Sequence, residues 1–373
     1  MRIIGISGLA NARLFKRSRW PGLEEREYGI SPGLDAAATL VVNGRVVASA
    51  AERRFNEKGE FPGCSIQYCL SQGNLSFQDI DLLVHAYDYS PYEELYLLDK
   101  SSAELYQKVL SKQALLNQLH GELSEIPNGR VRQVSHHLAH AAGAYFASKW
   151  EDCVVLVLDG FSEGQGVTAY HAREMRLEEI KEIVATNSIG TFLGLVAMHL
   201  GFDFGGNEDR IIQLAERGDP ARFRPFFEQA VELAHEGTIL IPPLWRNKTR
   251  REQEFYLGSR RYIVDYLGPP RLPTDELMQR HRDIAAGLEE CLRRVLLHIC
   301  RYLRAATGLP RIALAGDIGV NYRTNIYVQQ MDVFDDIFLP TLSGDDGSAL
   351  GAALLGAGAV KRTVPSLVVS GAR

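Results

Sequence analysis

Residues 153–160, CVVLVLDG, form an apolar run that ends in a carboxylate and a glycine, and residues 2–8, RIIGISG, repeat the pattern at the start of the chain. Each run is followed by two further strand-like segments joined by tight turns, and Asn43-Gly44 is a strong signal for a type I′ hairpin. Both repeats then give way to helical periodicity. The sequence therefore predicts a duplicated α/β unit.

The two repeats divide the chain into two halves of similar design. We predict a first subdomain over residues 1–149, with an irregular charged insertion at 9–34. A second subdomain is predicted over residues 150–360, followed by a tail at 361–373. A chain of 373 residues is too long for one small core, which agrees with this division.

The remaining segments are assigned from periodicity and from the positions of Gly and Pro. Helices are predicted over 64–72, 101–123, 191–200, 219–236, 275–307 and 348–358. Strands are predicted over 35–42, 45–50, 80–86, 132–134, 164–170, 311–315 and 337–339. Two proline pairs, Pro242-Pro243 and Pro269-Pro270, favour an irregular surface segment over 238–271.

The composition excludes several classes of protein. The chain is 46% hydrophobic and 23% charged, which is typical of a soluble protein, and its net charge of -5 disfavours a nucleic-acid partner. An odd count of five cysteines without a CxxC pair fits a reducing compartment. No apolar run reaches the length of about 18 residues that a membrane span needs, and the first residues lack the features of a signal peptide. We therefore expect a cytoplasmic protein without a membrane partner.

The most informative stretch for chemistry is 135–146, SHHLAHAAGAYF. In a helix, His136 and His140 stand one turn apart on the same face. Two imidazoles placed in this way bind a divalent cation when a third ligand arrives from elsewhere in the chain. The alternative is that both side chains pack in the interior or face solvent, because many such pairs hold no metal.

Glycine-bearing loops at strand ends are candidates for binding phosphate, and they lie at residues 5–8, 159–164 and 315–319. Backbone N–H groups in such loops hold phosphate oxygens, particularly where a helix follows. None of the three matches a P-loop or a dinucleotide fingerprint, so a plain turn is the alternative for each. A fourth loop places Asp345 and Asp346 before a helix of small residues. One carboxylate can cap that helix, which leaves the other available for a metal.

Several motifs together make this sequence similar to a known family. They are the histidine motif over 136–142, VLDG over 157–160, LAG over 314–316 with Asn321, and GDDGSALGAA over 344–353. On these residues the chain resembles the O-carbamoyltransferase family, which includes the nodulation-protein-U, cephamycin and tobramycin carbamoyltransferases. The resemblance runs from Met1 to about Gly358 and so covers almost the whole chain.

The resemblance implies an α/β fold of the actin-like or sugar-kinase-like (ASKHA) type, with two duplicated ribonuclease-H-like subdomains and a cleft between them. It also implies a divalent metal, iron in this family, held by His136, His140 and Asp345, although these ligands also suit zinc or manganese. An adenine nucleotide, either ATP or a carbamoyl-adenylate, is expected in the cleft. The positions implied for nucleotide contact are Gly5, Ser7, Asp159, Gly160, Glu208, Arg210, Gly316 and Asn321.

The chain departs from the family pattern on the nucleotide side. Leu34-Asp35 replaces a His-Asp pair, which removes a candidate general base and leaves Asp35 to take that role. Asp317 and Gln213 stand where the family usually has glycine. A carboxylate beside a phosphate is repulsive unless it faces away or meets a cation. Nucleotide binding is therefore less strongly implied than metal binding.

Proton transfer and donor supply need further groups. His137, next to the metal pair, is a candidate for moving a proton during the transfer, and a packed histidine is the alternative. Relatives carry a second, YrdC-like domain that makes carbamoyl-adenylate, whereas this sequence ends soon after the first domain. We therefore expect a YrdC-like partner or a related carbamoyltransferase chain, together with a small-molecule acceptor.

These observations lead to one main hypothesis and two alternatives. The main hypothesis is a carbamoyltransferase, standalone or the transferase subunit of a split enzyme. It would move a carbamoyl group from a carbamoyl-adenylate-type donor to a hydroxyl or amine of a small natural product, with the help of a metal. The alternatives are a catalytically weakened scaffold or regulatory partner of a full-length relative, and another acyl transfer or amide formation on the same fold. The loops at 9–34, 86–100 and 238–271 are expected to set the choice of acceptor.

Overall fold

The structure is a computed structural model. It describes residues 1–56, 59–123, 128–205, 208–316, 327, 329–330, 332–342, 344–359 and 361–363, of which 128, 161, 208–209 and 361–363 are described through their backbone alone.

The first sheet has five strands in the order β3-β2-β1-β4-β5. Its strands are β1 Arg2–Ser7, β2 Ala37–Val42, β3 Arg45–Ala51, β4 Leu82–His85 and β5 Val131–Gln133. The first three strands are antiparallel neighbours, whereas β4 is parallel to both β1 and β5. The predicted Asn43-Gly44 turn joins β2 to β3, with Asn43 in the left-handed region at φ 51°.

The second sheet repeats this arrangement. Its strands are β6 Asp152–Ser162, β7 Gln165–Arg173, β8 Arg176–Val184, β11 Arg311–Ala315, β12 Asp336–Phe338 and β13 Lys361–Thr363. The order is β12-β11-β6-β7-β8-β13, so β8-β7-β6-β11-β12 matches the first sheet strand for strand and direction for direction. This repeated order confirms the predicted duplicated α/β fold. The predicted domain boundary between residues 149 and 150 stays a prediction.

The helices are α1 Ala12–Arg19, α2 Glu25–Tyr28, α3 Gly63–Gln72, α4 Glu93–Tyr96, α5 Lys100–Leu105, α6 Lys112–Glu122, α7 His136–Ser148, α8 Ile189–His199, α9 Glu208–Ala215, α10 Arg224–Ala230, α11 Arg250–Phe255, α12 Leu257–Leu267, α13 Gln279–Thr307 and α14 Asp345–Gly356. A short hairpin pairs β9 Glu232–Leu233 with β10 Ile239–Leu240. Single 3₁₀ turns lie at Glu52–Arg54, Phe77–Asp79, Ser90–Tyr92, Asn128–Arg130, Ala185–Asn187, Pro220–Arg222 and Pro242–Arg246. No described helix is long and apolar enough to cross a membrane.

Successive side chains along the central strand of each sheet pack into two different hydrophobic clusters. In β6, Val154 belongs to a cluster with Phe192 of α8 and Ile284 of α13. The neighbouring Val155 points the other way, into a cluster with α7 and α14. In β1, Ile4 and Ile3 divide in the same manner between an outer and an inner cluster. The alternation follows from the two-residue period of a strand, and it places α7 and α14 between the two sheets.

The two segments predicted to be irregular contain helices. The 9–34 insertion holds α1 and α2. Ala12 and Phe15 of α1 pack against first-half residues such as Tyr89 and Val109, and the Lys16 ammonium lies 4.7 Å from the centre of the Phe255 ring in the second half. The 238–271 segment holds α11 and α12. The hydroxyl of Thr249 accepts the N–H of Glu252 and starts α11, a local capping signal that the proline pairs outweighed in our prediction.

Other predicted boundaries were partly wrong. The single helix expected over 101–123 is interrupted at Ser111, whose hydroxyl caps α6 after a π-helical turn at Tyr106–Leu110. Within 219–236 only the 3₁₀ turn and α10 are helical, and the segment then enters β9. Each deviation comes from a local polar cap or an apolar contact that periodicity alone does not reveal.

Candidate metal centre

The histidine motif lies in the first two turns of α7, as predicted. The helix begins at His136, and its first N–H groups need partners from outside the helix. The carboxylate of Glu163 supplies one of them, since its Oε2 atom accepts the His136 N–H at 3.1 Å. Glu163 thus fixes the start of the helix that carries both imidazoles, and burial raises the pKa of its carboxyl to about 7.

Close packing of α7 on α14 brings the aspartate of the second half to the histidines. A Cβ atom on Gly351 would lie 1.7 Å from the Ala139 carbonyl oxygen, and one on Gly143 would lie 2.5 Å from the Gly347 carbonyl oxygen. Only residues without a side chain allow such a backbone approach. The two helices therefore meet near their N-terminal ends, and Asp345, the first residue of α14, stands beside the imidazoles.

Four side chains converge on one point. The Nε2 atoms of His136 and His140 are 3.0 Å apart. Oδ1 of Asp345 lies 3.4 Å from the His136 Nε2 atom and 3.7 Å from the His140 Nε2 atom, while Oδ2 of Asp159 lies 3.4 Å from the former. The ligand atoms of His136, His140 and Asp159 all lie within 4.8 Å of one another. The predicted set of His136, His140 and Asp345 is therefore brought together, and Asp159 joins it.

Burial and charge make this cluster attractive to a cation. Burial lowers the pKa of His136, but the neighbouring carboxylates of Asp159 and Asp345 outweigh it and raise that pKa to about 9. Burial also raises the pKa of Asp159, but the nearby imidazoles outweigh this and hold it well below its usual range. His136 and Asp159 thus favour a positive charge between them, which a proton or a metal ion can supply.

Further residues orient the ligands. The Ala86 carbonyl lies 3.0 Å from Nδ1 of His136, an arrangement that leaves Nε2 free to bind a cation. The Tyr87 ring stacks on the His136 ring with 4.2 Å between centres, and its hydroxyl donates to Oδ2 of Asp345 at 3.2 Å. Two imidazoles and two carboxylates, held by such partners, fit a divalent cation such as iron, zinc or manganese.

A cavity of about 500 Å³ opens onto this cluster and falls within the usual range of small-molecule sites. Four predicted site residues besides the metal set line it: Asp35, Asp159, Gly160 and Arg210. Part of its wall comes from residues 25–34 of the insertion. Arg13, Arg26 and Arg53 also line the cavity, so its cationic side chains are arginines.

Other predicted nucleotide contacts lie in packed positions. Gly5 is pressed against α14, since a Cβ there would lie 2.1 Å from the Ala349 carbonyl oxygen. The hydroxyl of Ser7 donates to the Asp35 carbonyl at 3.3 Å, and Gly316 closes β11 with φ 84°. The side chain of Glu208 lies outside the described residues, as do Asn321 and Asp317 in full. The nucleotide contacts of these residues stay predictions.

The two predicted proton carriers occupy different surroundings. His137 is fully buried, with Nδ1 2.7 Å from the Thr168 hydroxyl and Nε2 3.9 Å from Asp159, and burial lowers its pKa to about 3. Asp35 lies in the cavity wall, where its carboxylate pairs with Arg53. His137 is thus a packed neutral imidazole behind the metal ligands, and the role of both residues in proton transfer stays a prediction.

Sequence reasoning missed three members of the site. Asp159 was assigned to nucleotide contact although it also belongs to the metal cluster, and Tyr87 and Glu163 were not assigned to the metal centre. The signal for Asp159 was the carboxylate and glycine near the end of β6, and that for Tyr87 was its position just beyond β4. Glu163, at φ 51° in the β6–β7 turn, gave no such signal.

Comparison with known proteins agrees with the motifs. A family profile described as "Carbamoyltransferase N-terminus" matches residues 26–354. Nodulation protein NolNO of Sinorhizobium fredii is 29% identical over 345 residues, which cover 89% of this chain and 47% of that protein. Nodulation protein NolO of Bradyrhizobium diazoefficiens is 30% identical over 243 residues, which cover 62% of this chain and 40% of that protein. The chain thus spans about half the length of the curated relatives it matches.

The solved structures that align with this chain over most of its length have low sequence identity to it. Component A of the (R)-2-hydroxyglutaryl-CoA dehydratase of Acidaminococcus fermentans is 16% identical with a TM-score of 0.46, and the match covers 95% of this chain and 96% of that one. The activator of the 2-hydroxyisocaproyl-CoA dehydratase of Clostridium difficile is 14% identical with a TM-score of 0.48, over 96% and 95% of the two chains.

Proposed function

Because the chain belongs to the carbamoyltransferase N-terminus family, we propose that it transfers a carbamoyl group from a carbamoyl-adenylate to a hydroxyl or amine of a small natural product. The observation that carries this proposal is the convergence of His136, His140, Asp159 and Asp345, all of which except His140 line one cavity. A divalent cation held by these side chains would polarise the carbonyl and phosphate oxygens of the donor.

The cavity wall supports binding of a phosphate-bearing donor. Arg210 stands exposed in the first turn of α9 at the rim, and Arg13 and Arg53 lie in the same wall. Both of the latter guanidinium groups already contact carboxylates, those of Glu60 and Asp35. The exposed guanidinium of Arg210 is the group of this wall that would meet an entering phosphate, which suits charge-assisted recognition. We assign the adenylate phosphate to the Arg210 side of the cavity.

The transfer itself is a displacement at the carbamoyl carbon. The acceptor oxygen or nitrogen bonds to that carbon, the bond between the carbon and the phosphate oxygen breaks, and AMP leaves. The proton of the acceptor must pass to a base, for which Asp35 in the cavity wall is the candidate. We propose that a YrdC-like unit supplies the donor from carbamoyl phosphate and ATP.

The test uses a small acceptor that needs no dedicated pocket. Protein loaded with Fe²⁺, Mn²⁺ or Zn²⁺ is incubated with synthetic carbamoyl-adenylate and hydroxylamine, and both AMP and hydroxyurea are measured. We expect the two products in equal amounts, and a rate at least about 100-fold lower for Asp345→Asn. His171→Ala is the matched control. His171 of β7 pairs with Asp152 at the start of β6 and lies outside the cluster.

Two outcomes would contradict the proposal. Metal-loaded protein that forms no hydroxyurea above the buffer rate would exclude the transfer. Absence of adenine-nucleotide binding by calorimetry, together with stable association with a full-length relative, would favour the scaffold function. Amide formation with other activated acids in place of the carbamoyl donor would instead favour the broader acyl-transfer alternative.

A further inference from the structure

A second cavity, of about 280 Å³, lies where three segments outside the duplicated core meet. The insertion contributes Phe15 and Trp20, the connection after β4 contributes Tyr89 and Tyr96, and the segment before α12 contributes Tyr256. The turn at Ser162 and Glu163 forms its inner end. The cavity therefore depends on all three segments that the sequence marks as candidates for acceptor choice.

Five aromatic side chains line this cavity, together with aliphatic ones such as Val109 and Leu110. Tyr89 is buried, and the Tyr96 ring meets it edge-on with 6.1 Å between ring centres. On the opposite side, Trp20 packs edge-on against Phe255 at 5.9 Å, next to the lining residue Tyr256. Aromatic rings offer large, rigid, apolar surfaces that suit a flat or ring-shaped ligand.

The buried charged groups in the wall have partners within the protein, whereas Arg19 is exposed and lies over the Trp20 ring, 5.9 Å from its centre. The Lys16 ammonium donates to the Glu254 carbonyl at 3.0 Å and also contacts the Ile30 carbonyl, and burial lowers its pKa to about 8. Glu163 accepts backbone N–H groups, and Arg250 pairs with Glu254 at 3.0 Å. A charged ligand in the buried part of the cavity would lose its hydration without gaining Lys16 or Glu163 as a new partner, which is unfavourable.

The second cavity adjoins the metal centre. Ser31 and Pro32 line both cavities, so the two cavities are neighbours across these residues. At the inner end, Ser162 donates to Oδ2 of Asp159 at 3.4 Å, and Glu163 holds the His136 N–H. A ligand in the second cavity thus ends next to the side chains that we assign to the reacting carbamoyl group.

We propose that this cavity binds the acceptor, and that the acceptor is an uncharged alcohol built on one or two apolar rings. The ring system lies between the aromatic walls, and the hydroxyl group points past Ser31 and Pro32 toward the metal centre. This inference rests on the proposed transferase function, because only that function makes a ligand of the second cavity an acceptor.

The test measures binding of three ligands of the same shape. 2-Naphthylmethanol is the uncharged probe, and 2-naphthoate and 2-naphthylmethylammonium are its anionic and cationic counterparts. Calorimetry with metal-loaded protein is expected to show at least about tenfold tighter binding of the alcohol than of either ion. Ser101→Trp, which fills the cavity, should abolish that binding, and Tyr96→Ala should weaken it about threefold or more.

Tyr266→Ala is the matched control, because Tyr266 is an exposed tyrosine that packs on Tyr262 and Phe226 away from the cavity. Metal content is measured for every variant, so that loss of the metal centre is recognised. Equal binding to wild type and Ser101→Trp, no binding to wild type, or equal affinity for the ions would overturn the inference. Failure of the transferase proposal is seen separately, as a lack of hydroxyurea formation by wild type.

Discussion

The metal centre and the second cavity, which we call the aromatic cavity after its five aromatic side chains, lie side by side but are built in different ways. The candidate metal ligands stand on elements of the duplicated core: the first two turns of α7, the first residue of α14 and the outer part of β6. The aromatic cavity is assembled from segments that connect these elements. Under the proposed function, the reaction chemistry would be carried by the core and the choice of acceptor by the connections.

The two regions are also held together by different forces. Backbone contact at Gly351 and Gly143 fixes the metal ligands, whereas the cavity wall is tied by polar side chains such as Lys16. Backbone contact leaves no room for adjustment, while a side chain can move or be replaced at lower cost. Substitutions in the first region should therefore have larger effects than substitutions in the second.

The largest effect is expected for Gly351→Ala. The new methyl group would overlap the Ala139 carbonyl, so α7 and α14 must separate. We expect a loss of at least about 3 kcal/mol in the free energy of unfolding, together with weaker metal binding. Gly121→Ala is the control, because Gly121 is in α6 with no atom within 4 Å of the added carbon. Equal unfolding midpoints in urea for the two variants would contradict the packing argument.

The next effect concerns the ligands themselves. His140→Ala removes one of the two imidazoles and is expected to lower the affinity for Zn²⁺ by at least about 100-fold. Competition with a chelating dye measures this affinity directly. His171→Ala should leave it unchanged, since that imidazole pairs with Asp152 on the surface. A metal affinity in His140→Ala within about threefold of wild type would show that the pair is a packing feature.

A smaller effect is expected for Lys16 in the wall of the aromatic cavity, and it concerns the pH dependence of stability. Lys16 has a pKa of about 8 in the folded chain against 10.5 in the unfolded one, so the unfolded chain binds more protons between these values. Stability should therefore rise as the pH increases from 8 to 10.5, by about 2 kcal/mol relative to Lys16→Met. Lys248→Met, at an exposed position, should parallel wild type. Parallel urea curves for wild type and Lys16→Met across this range would contradict the assignment.

The smallest effect tests the fourth ligand. Asp159→Asn keeps the shape of the side chain but removes its charge beside His136. We expect metal affinity to fall about tenfold, less than in His140→Ala, because Asp345 still provides a carboxylate. The same dye competition measures it, with Asp152→Asn as the control on the surface. No change in Asp159→Asn would restrict the site to the predicted three residues.

The two regions also show how far sequence alone can lead. His136 and His140 were predictable because their spacing puts them on one helical face, and the duplicated fold was predictable because both halves repeat one strand pattern. The role of Glu163 was not, because it caps a helix 27 residues away through contacts that no local pattern shows. The helices in 9–34 were missed for the same reason, since α1 packs on residues distant in the sequence, such as Tyr89 and Val109, and its Lys16 meets Phe255.

The most direct test is anomalous diffraction from crystals of metal-loaded protein. The account predicts one peak at roughly 2.0–2.3 Å from Nε2 of both His136 and His140, with oxygens of Asp345 and Asp159 completing the set. A peak bound elsewhere, or ring nitrogens that stay more than about 3 Å from any bound ion, would contradict it.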